Sequence, residues 1–427
     1  MKKIYCAILL PFLIFTILLT ACTPVELHTS DTTPIREEEQ MPPAEQLKES
    51  EELCGIWIAT AMNINFPSEP GLSAKELAAE IDDIITCAKE LSANAVFFQV
   101  RPSSDAFYPS EIFPTSKYLT GEEGAELPDG LDVLRYLITR AHENGIAVHA
   151  WVNPLRASIG VTDTSKLSDS HPAKLNPEYV IPYADGRLYF DPGLPEVRQL
   201  IADGVSELAA NYKLDGIVFD DYFYPYPTTD ENGKSADFDD SETYQKYGAG
   251  YSSLGDFRRD NVNKMIKECY SAIKSVNTEC KFGVAPFGIR KNDDGTNGGS
   301  KTNGLSSYYD IYCDPLAWVK GGYIDYLAPQ IYWEQDNSRA PFNELCDWWD
   351  NALRDTEVEY YVSYAAYRYE NDWEDPSGEI TAQIGHAREK GRYRGGILYG
   401  YDQIYRNVSG LKDEIKVLFG EKEIYVS

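Results

Sequence analysis

Leu214–Pro227 reads LDGIVFDDYFYPYP. Gly216–Asp220 is a short apolar run that ends on a carboxylate, the pattern of a strand buried on both faces in a parallel sheet. Upstream, a helical period runs through Pro195–Tyr212, and only Lys213–Asp215 separates it from the strand. Downstream, a long loop of Tyr, Pro and Asp leads to the next helical segment, Leu254–Val276. The entry into the strand is short and the exit is long. Barrel enzymes need that asymmetry, because their sites are built on the loops that follow the strands.

The same unit recurs on both sides. Strands are expected at Gly55–Thr60, Ala95–Val100, Ile146–Val152, Gly216–Asp220, Lys281–Ala285, Tyr326–Ile331, Tyr360–Ala365 and Gly396–Tyr399. Helices are expected near Ser73–Leu91, Leu131–Asn144, Pro195–Tyr212, Leu254–Val276, Asp314–Lys320, Phe342–Asp355, Ile380–Lys390 and Gln403–Leu418. Ser73 with Glu76 has capping-box spacing, and Gly145 stops the second helix. Eight strand–helix units are the closure number of an α/β (β/α)8 TIM barrel. A doubly wound sheet would carry a Gly-rich phosphate loop after its first strand, and none is present. The expectation is one barrel domain over 51–427, with no internal repeat.

The N-terminal region reads differently. Residues 1–21 have Lys2 and Lys3, then a short apolar run broken by Pro11, and end in Leu19-Thr20-Ala21-Cys22. That is the pattern of a lipoprotein signal peptide with Cys22 as the lipidated residue. Two acyl chains on Cys22 would supply a stable membrane anchor. Residues 22–50 then form an acidic tether rich in Thr, Ser, Pro and Glu. The expected location is extracytoplasmic, lipid-anchored to the bacterial cell membrane. The formal net charge of −29 over 427 residues excludes a basic footprint for nucleic acid. Six cysteines follow Cys22 without CxxC spacing, so they read chiefly as small buried hydrophobes.

Side chains alternate along a strand, so each strand end has one barrel-facing parity. That parity groups Gln99 with Arg101, His149 with Trp151 and Asn153, Gly216 with Val218 and Asp220, and Gln330 with Tyr332. Asp220 closes an apolar strand, an environment that raises a carboxyl pKa. Asp221 has the opposite parity unless the strand breaks there, and Glu334 follows Tyr332 and Trp333. Glycosidic cleavage needs one acid for the leaving oxygen and a second group for water, the anomeric carbon or an acetamido group. Asp220, Glu334 and Asp221 are the catalytic candidates. Tyr222, Tyr224, Tyr332, Trp333 and Tyr399 offer flat faces that suit sugars. No GxSxG elbow is present, the histidines are dispersed, and no metal or cofactor is expected.

The segments GIWIATAMNINFP, FFQVRPSSDAFYPSEIFP, VHAWVNPLRAS, LDGIVFDDYFYPYP, FRRDNVN, FGVAPFGIR and LAPQIYWE resemble the glycosyl hydrolase-like 10 family, from about Glu52 to about Tyr405. The resemblance implies an extracytoplasmic TIM barrel, often a lipoprotein, that hydrolyses glycosidic bonds. Some relatives act on peptidoglycan strands that have lost their stem peptides. By motif it carries over Asp220, Asp221 and Glu334 as acids, with Gln99, Arg101, His149, Trp151, Asn153 and Gln330 lining the pocket. DGIVFDDY also resembles, more distantly, the DGxDxDxE signature of chitinase-like barrels, with Asp220 as the acid that handles the acetamido group. Tyr222 stands where that signature has its last acid, so Glu334 would supply the proton from another strand. The implied substrate is a cell-envelope or extracellular polysaccharide, most simply an N-acetylhexosamine-containing glycan. The rival readings are a non-catalytic glycan-binding lipoprotein and a glycosidase for dietary or host glycans.

Overall fold

The computed structural model describes residues 52–420, apart from 297, 371, 372, 374 and 375. The expected signal peptide, Cys22 and the expected tether lie outside the described residues. Eight parallel strands close a barrel: β1 (Leu53–Ile58), β2 (Ala95–Arg101), β3 (Ala147–Val152), β4 (Gly216–Phe219), β5 (Lys281–Val284), β6 (Tyr326–Leu327), β7 (Glu359–Tyr364) and β8 (Tyr393–Tyr399). Each strand pairs with its chain-order neighbours, and β1 closes on β8 through Leu53 to Trp57 against Gly395 to Tyr399. The principal outer helices are α1 (Ala74–Glu90), α2 (Val133–His142), α3 (Pro195–Asn211), α4 (Leu254–Val276), α5 (Pro315–Gly321), α6 (Phe342–Ala352), α7 (Glu379–Arg388) and α8 (Leu411–Gly420). At α1 the capping box is formed in both directions: the Ser73 hydroxyl accepts from the Glu76 amide, and the Glu76 carboxylate accepts from the Ser73 amide.

Two apolar cores result from strand alternation. Outward residues such as Val96, Phe98 and Val148 pack beneath the helices. Inward residues, among them Trp57, Phe97, Val218, Tyr326 and Ile397, fill the barrel axis. Large rings fit there because glycines face them. A Cβ at Gly216 would stand 2.4 Å from the His149 ring, and one at Gly283 would stand 2.1 Å from the Tyr326 ring.

The structure corrects three expected elements. The sixth strand is only Tyr326–Leu327, because Pro286 and Pro329 lack the N–H that would continue its ladder. The last helix is divided. Asn407 and Ser409 have φ of 53° and Gly410 of 80°, and the Asn407 side chain accepts from the Lys412 amide to begin α8. The long loop after β3, rich in Ser, Asp and Pro and expected to carry no strand, folds into a small antiparallel sheet of Arg156–Ser158, Leu188–Phe190 and Val180–Pro182.

Candidate active site

At the C-terminal end of the barrel a cavity of about 230 Å³ is lined by Trp57, Trp151, Asp220, Asp221, Tyr222, Tyr226, Ala285, Gln330, Tyr332 and Tyr399. Its acids come from the chain leaving β4. The strand ends at Phe219, so alternation lapses there and both Asp220 and Asp221 reach the cavity. Asp220 Oδ2 accepts from Trp151 Nε1 at 2.9 Å and from Asn153 Nδ2 at 3.1 Å. Its Oδ1 accepts from the Tyr222 amide at 3.2 Å. Asp221 accepts from the Tyr226 hydroxyl and is hydrogen-bonded by Gln330.

Both carboxyls are almost completely buried, and burial governs their protonation. Asp220 is pushed up to about 7 by burial first and by the neighbouring Asp221 charge second; Arg156, Trp151 and the Tyr222 amide pull the other way. Burial also raises Asp221, against its bonds from Tyr226 and Gln330. Near neutral pH the pair therefore holds a proton that an exposed carboxylate would have lost, as an acid–base catalyst requires.

Aromatic rings enclose the acids. Tyr332 and Tyr399 are stacked at 12° with centroids 6.1 Å apart. Trp151 meets Trp57 at 5.1 Å and Tyr399 at 6.3 Å, both edge-on. Among the described residues no group of three or more His, Cys, Asp or Glu is arranged to hold a metal ion.

Trp151, Tyr222, Gln330, Tyr332 and Tyr399 thus line the cavity with the two aspartates, and Asn153 supports Asp220 from behind. The other sequence candidates lie elsewhere. Gln99 accepts the Thr60 and Ala61 amides with its Oε1, both at 2.9 Å, and fixes the loop after β1. Arg101 is turned outward: the β2–β3 register shifts between Gln99 and Arg101, and its guanidinium lies 3.6 Å from the Phe113 ring centroid. His149 sits below the cavity, stacked on Phe97 and bonded to the Tyr326 hydroxyl at 2.8 Å; burial lowers it to about 4, so it is neutral. Tyr224 is core, packed edge-on against Phe238 and Tyr312. Trp333 meets Phe287 edge-on at 5.4 Å, and Phe287 in turn meets Tyr226 of the cavity wall at 6.1 Å; Trp333 itself is not among the lining residues. Glu334 is half-buried, two residues beyond Tyr332, and is not among the lining residues.

Sequence reading passed over Trp57, whose inward parity on β1 could have marked it, and Arg156, whose guanidinium lies 4.9 Å from the Tyr222 ring centroid. Tyr226, which completes the cavity wall, stands in the sequence as one more aromatic in the loop after β4, with nothing to single it out.

A closed parallel barrel with two buried carboxylates between aromatic walls at its C-terminal mouth defines a class, the TIM-barrel glycoside hydrolases. The model of the family described as glycosyl hydrolase-like 10 matches residues 52–376. The chain is 38% identical over 371 residues to glycosyl hydrolase YngK of Bacillus subtilis (strain 168), covering 85% of this chain and 71% of that one. It is 35% identical over 352 residues to glycosyl hydrolase DigH of Escherichia coli (strain K12), covering 78% of each. In fold it is similar to the PgaB (BpsB) glycoside hydrolase domain from Bordetella bronchiseptica, with a TM-score of 0.54, 13% identity, and coverage of 86% of this chain and 98% of that one. The chain belongs to the glycosyl hydrolase-like 10 family and is a glycoside hydrolase.

Proposed function

We propose that the enzyme cleaves an N-acetylhexosamine-containing polysaccharide of the cell envelope, with peptidoglycan strands free of stem peptides as its substrate. The observation that carries this reading is the Asp220–Asp221 pair, adjacent and buried between aromatic rings at the C-terminal mouth, where burial raises both carboxyls above the usual range. With Oδ2 of Asp220 engaged by Trp151 and Asn153, its proton resides on Oδ1. That proton passes to the glycosidic oxygen as the bond to the anomeric carbon breaks. Asp221, ionised and steadied by Tyr226, balances the positive charge on the sugar and orients its acetamido group. Water then adds to the anomeric carbon, and its proton restores Asp220. Trp151, Tyr332 and Tyr399 supply the apolar faces for the ring, and Gln330 a polar edge. Glu334, on the loop beyond the cavity, meets the glycan when a chain fills the cleft.

The same reading places the protein outside the cytoplasmic membrane, held by lipid on Cys22. Incubating the full-length protein with peptidoglycan, with and without stem peptides, and weighing the products by mass spectrometry tests the proposal. Glycan fragments one water heavier than the internal repeat are expected from the peptide-free strands. Cleavage of neither substrate would sink it.

A further inference from the structure

Four arginines are buried in the described structure: Arg101, Arg156, Arg198 and Arg258. Arg198 is paired with Glu268 and Arg258 with Asp240. Arg101 lies against Phe113, beneath the outer helix α3, where a Cβ at Gly204 would stand 2.6 Å from its Nη1. Arg156 is different. It is only 6% exposed and stands beside the cavity. Like Arg101, it has no carboxylate within ion-pair distance among the described residues, but unlike Arg101 it acts electrostatically on Asp220 and Asp221.

Its placement is fixed. Nε and Nη2 both donate to the Pro102 carbonyl, at 2.9 and 2.7 Å. Its amide donates to Asn153 Oδ1 at 3.1 Å, and Asn153 in turn holds Asp220. Nη1 has no hydrogen-bond partner among the described residues, and it is not one of the side-chain atoms sealed from solvent without a partner. A second guanidinium, Arg187, acts more weakly on the Tyr222 hydroxyl, and it is committed to Asp185 at 2.9 Å. Beside Tyr222, a residue of the cavity wall, Arg156 therefore keeps one preset donor open. A largely buried guanidinium whose neighbouring carboxyls, Asp220 and Asp221, lie beyond ion-pair distance is favoured further when an anion reaches it directly. A guanidinium held by a carbonyl fork is preorganised for an oxygen anion.

We infer that Arg156 reads a carboxylate carried by the substrate sugar next to the Tyr222 wall. The inference rests on the glycan reading above and adds that the bound sugar is anionic. That carboxylate has two chemical sources: a lactyl ether substituent freed by loss of its peptide, or the C6 carboxylate of a hexuronic acid.

Binding to the full-length Asp220→Asn protein, measured by calorimetry, separates these cases without requiring turnover. The probes are peptide-free peptidoglycan strands, the same strands with their carboxylates amidated, and oligosaccharides alternating N-acetylhexosamine with hexuronic acid, native and amidated. Free carboxylates should bind about 10- to 100-fold more tightly than the matched amides, the range for a hydrogen bond to a charged group. Adding Arg156→Gln should bring that ratio close to one. Arg156→Lys, which keeps the charge but not the fork, should restore part of it and covers the case of a poorly folded Gln variant. The series that shows the Arg156-dependent preference identifies the carboxylate. No preference in either series, or a preference that survives Arg156→Gln, overturns the inference. Arg156-dependent binding without cleavage of peptide-free strands by the wild type leaves the inference standing and removes the proposed substrate instead.

Discussion

Strand β4 has an aspartate at each end, and the two meet opposite fates. Asp215 precedes the strand at the N-terminal mouth. Burial pushes its carboxyl up, but the bond from His142 Nε2 at 2.9 Å and the Val148 amide at 2.7 Å outweigh that and hold it below the usual range. Asp220 follows the strand at the C-terminal mouth, also accepts several donors, and is still pushed up to about 7, because burial is more complete and Asp221 is adjacent. The difference extends to the surroundings. The N-terminal mouth carries a wide groove of about 930 Å³ in which two lysine–carboxylate pairs are formed, Lys274 with Asp325 at 2.9 Å and Lys281 with Glu359 at 2.8 Å. The C-terminal cavity, about 230 Å³, keeps two buried carboxyls side by side. Size does not mark the site; two adjacent carboxyls buried together do.

The largest test of that contrast is Asp220→Asn. It should lower kcat at least ~10²-fold, the low end for a positioned acid–base group. The stability effect has a definite sign. A carboxyl raised in the folded state binds more protons folded than unfolded, so its contribution falls as pH rises from the unfolded value near 4 towards about 7. Asp220→Asn should therefore raise Tm above pH 7 and bring no such gain at pH 4. A variant with full activity, or one less stable at pH 8, would undo the assignment.

Asp215→Asn should do the reverse. Its depressed carboxyl contributes stability that is present above the ordinary carboxylate pKa and is lost as pH falls through the folded value. The variant should lose about 1–2 kcal/mol at pH 7, by denaturant titration, less at pH 3, and keep kcat within about twofold. A large loss of kcat with unchanged stability would make the two ends functionally equivalent.

Trp151→Phe sharpens the account of the C-terminal mouth. It keeps an aromatic wall but removes the indole N–H that donates to Asp220 at 2.9 Å. The carboxyl should rise further, since a bond that favours its charged form is gone. The pH–rate profile should move its Asp220 limb to higher pH, with kcat reduced about 10-fold. A profile shifted to lower pH would mean that Trp151 does not stabilise the ionised form.

Much of this was legible in the chain. Apolar runs with short entries and long exits fixed the eight units, and Ser73 and Glu76 marked the start of α1 through a local pattern. Asp220 was legible because strand parity held through Gly216, Val218 and Asp220. Parity failed where the backbone departs from the ladder. A register shift turns Arg101 outward, and Pro286 and Pro329 cut the sixth strand short. Parity also says nothing about depth, so His149 faces the axis as expected but lies beneath the cavity. Arg156 could not be read at all. Its position depends on a small sheet after β3 and on a carbonyl 54 residues earlier in the chain, at Pro102.

The smallest expected effect belongs to Glu359→Gln, at the N-terminal mouth. Lys281 and Glu359 form a close pair, but their side chains are 44% and 36% exposed. Water and salt screen such a pair, and ordering two flexible side chains offsets much of the attraction. Gln also keeps an oxygen to accept from the Tyr361 hydroxyl, which donates to Glu359 at 2.9 Å. The loss should be below about 0.5 kcal/mol in low salt, shrink further at high ionic strength, and leave kcat and KM unaltered. Urea titration at two salt concentrations, with steady-state kinetics beside it, reads all three. A fall in kcat without a fall in stability would show that charge at the N-terminal mouth reaches the acids at the other end of the barrel. The division drawn between the two ends would then have to be abandoned.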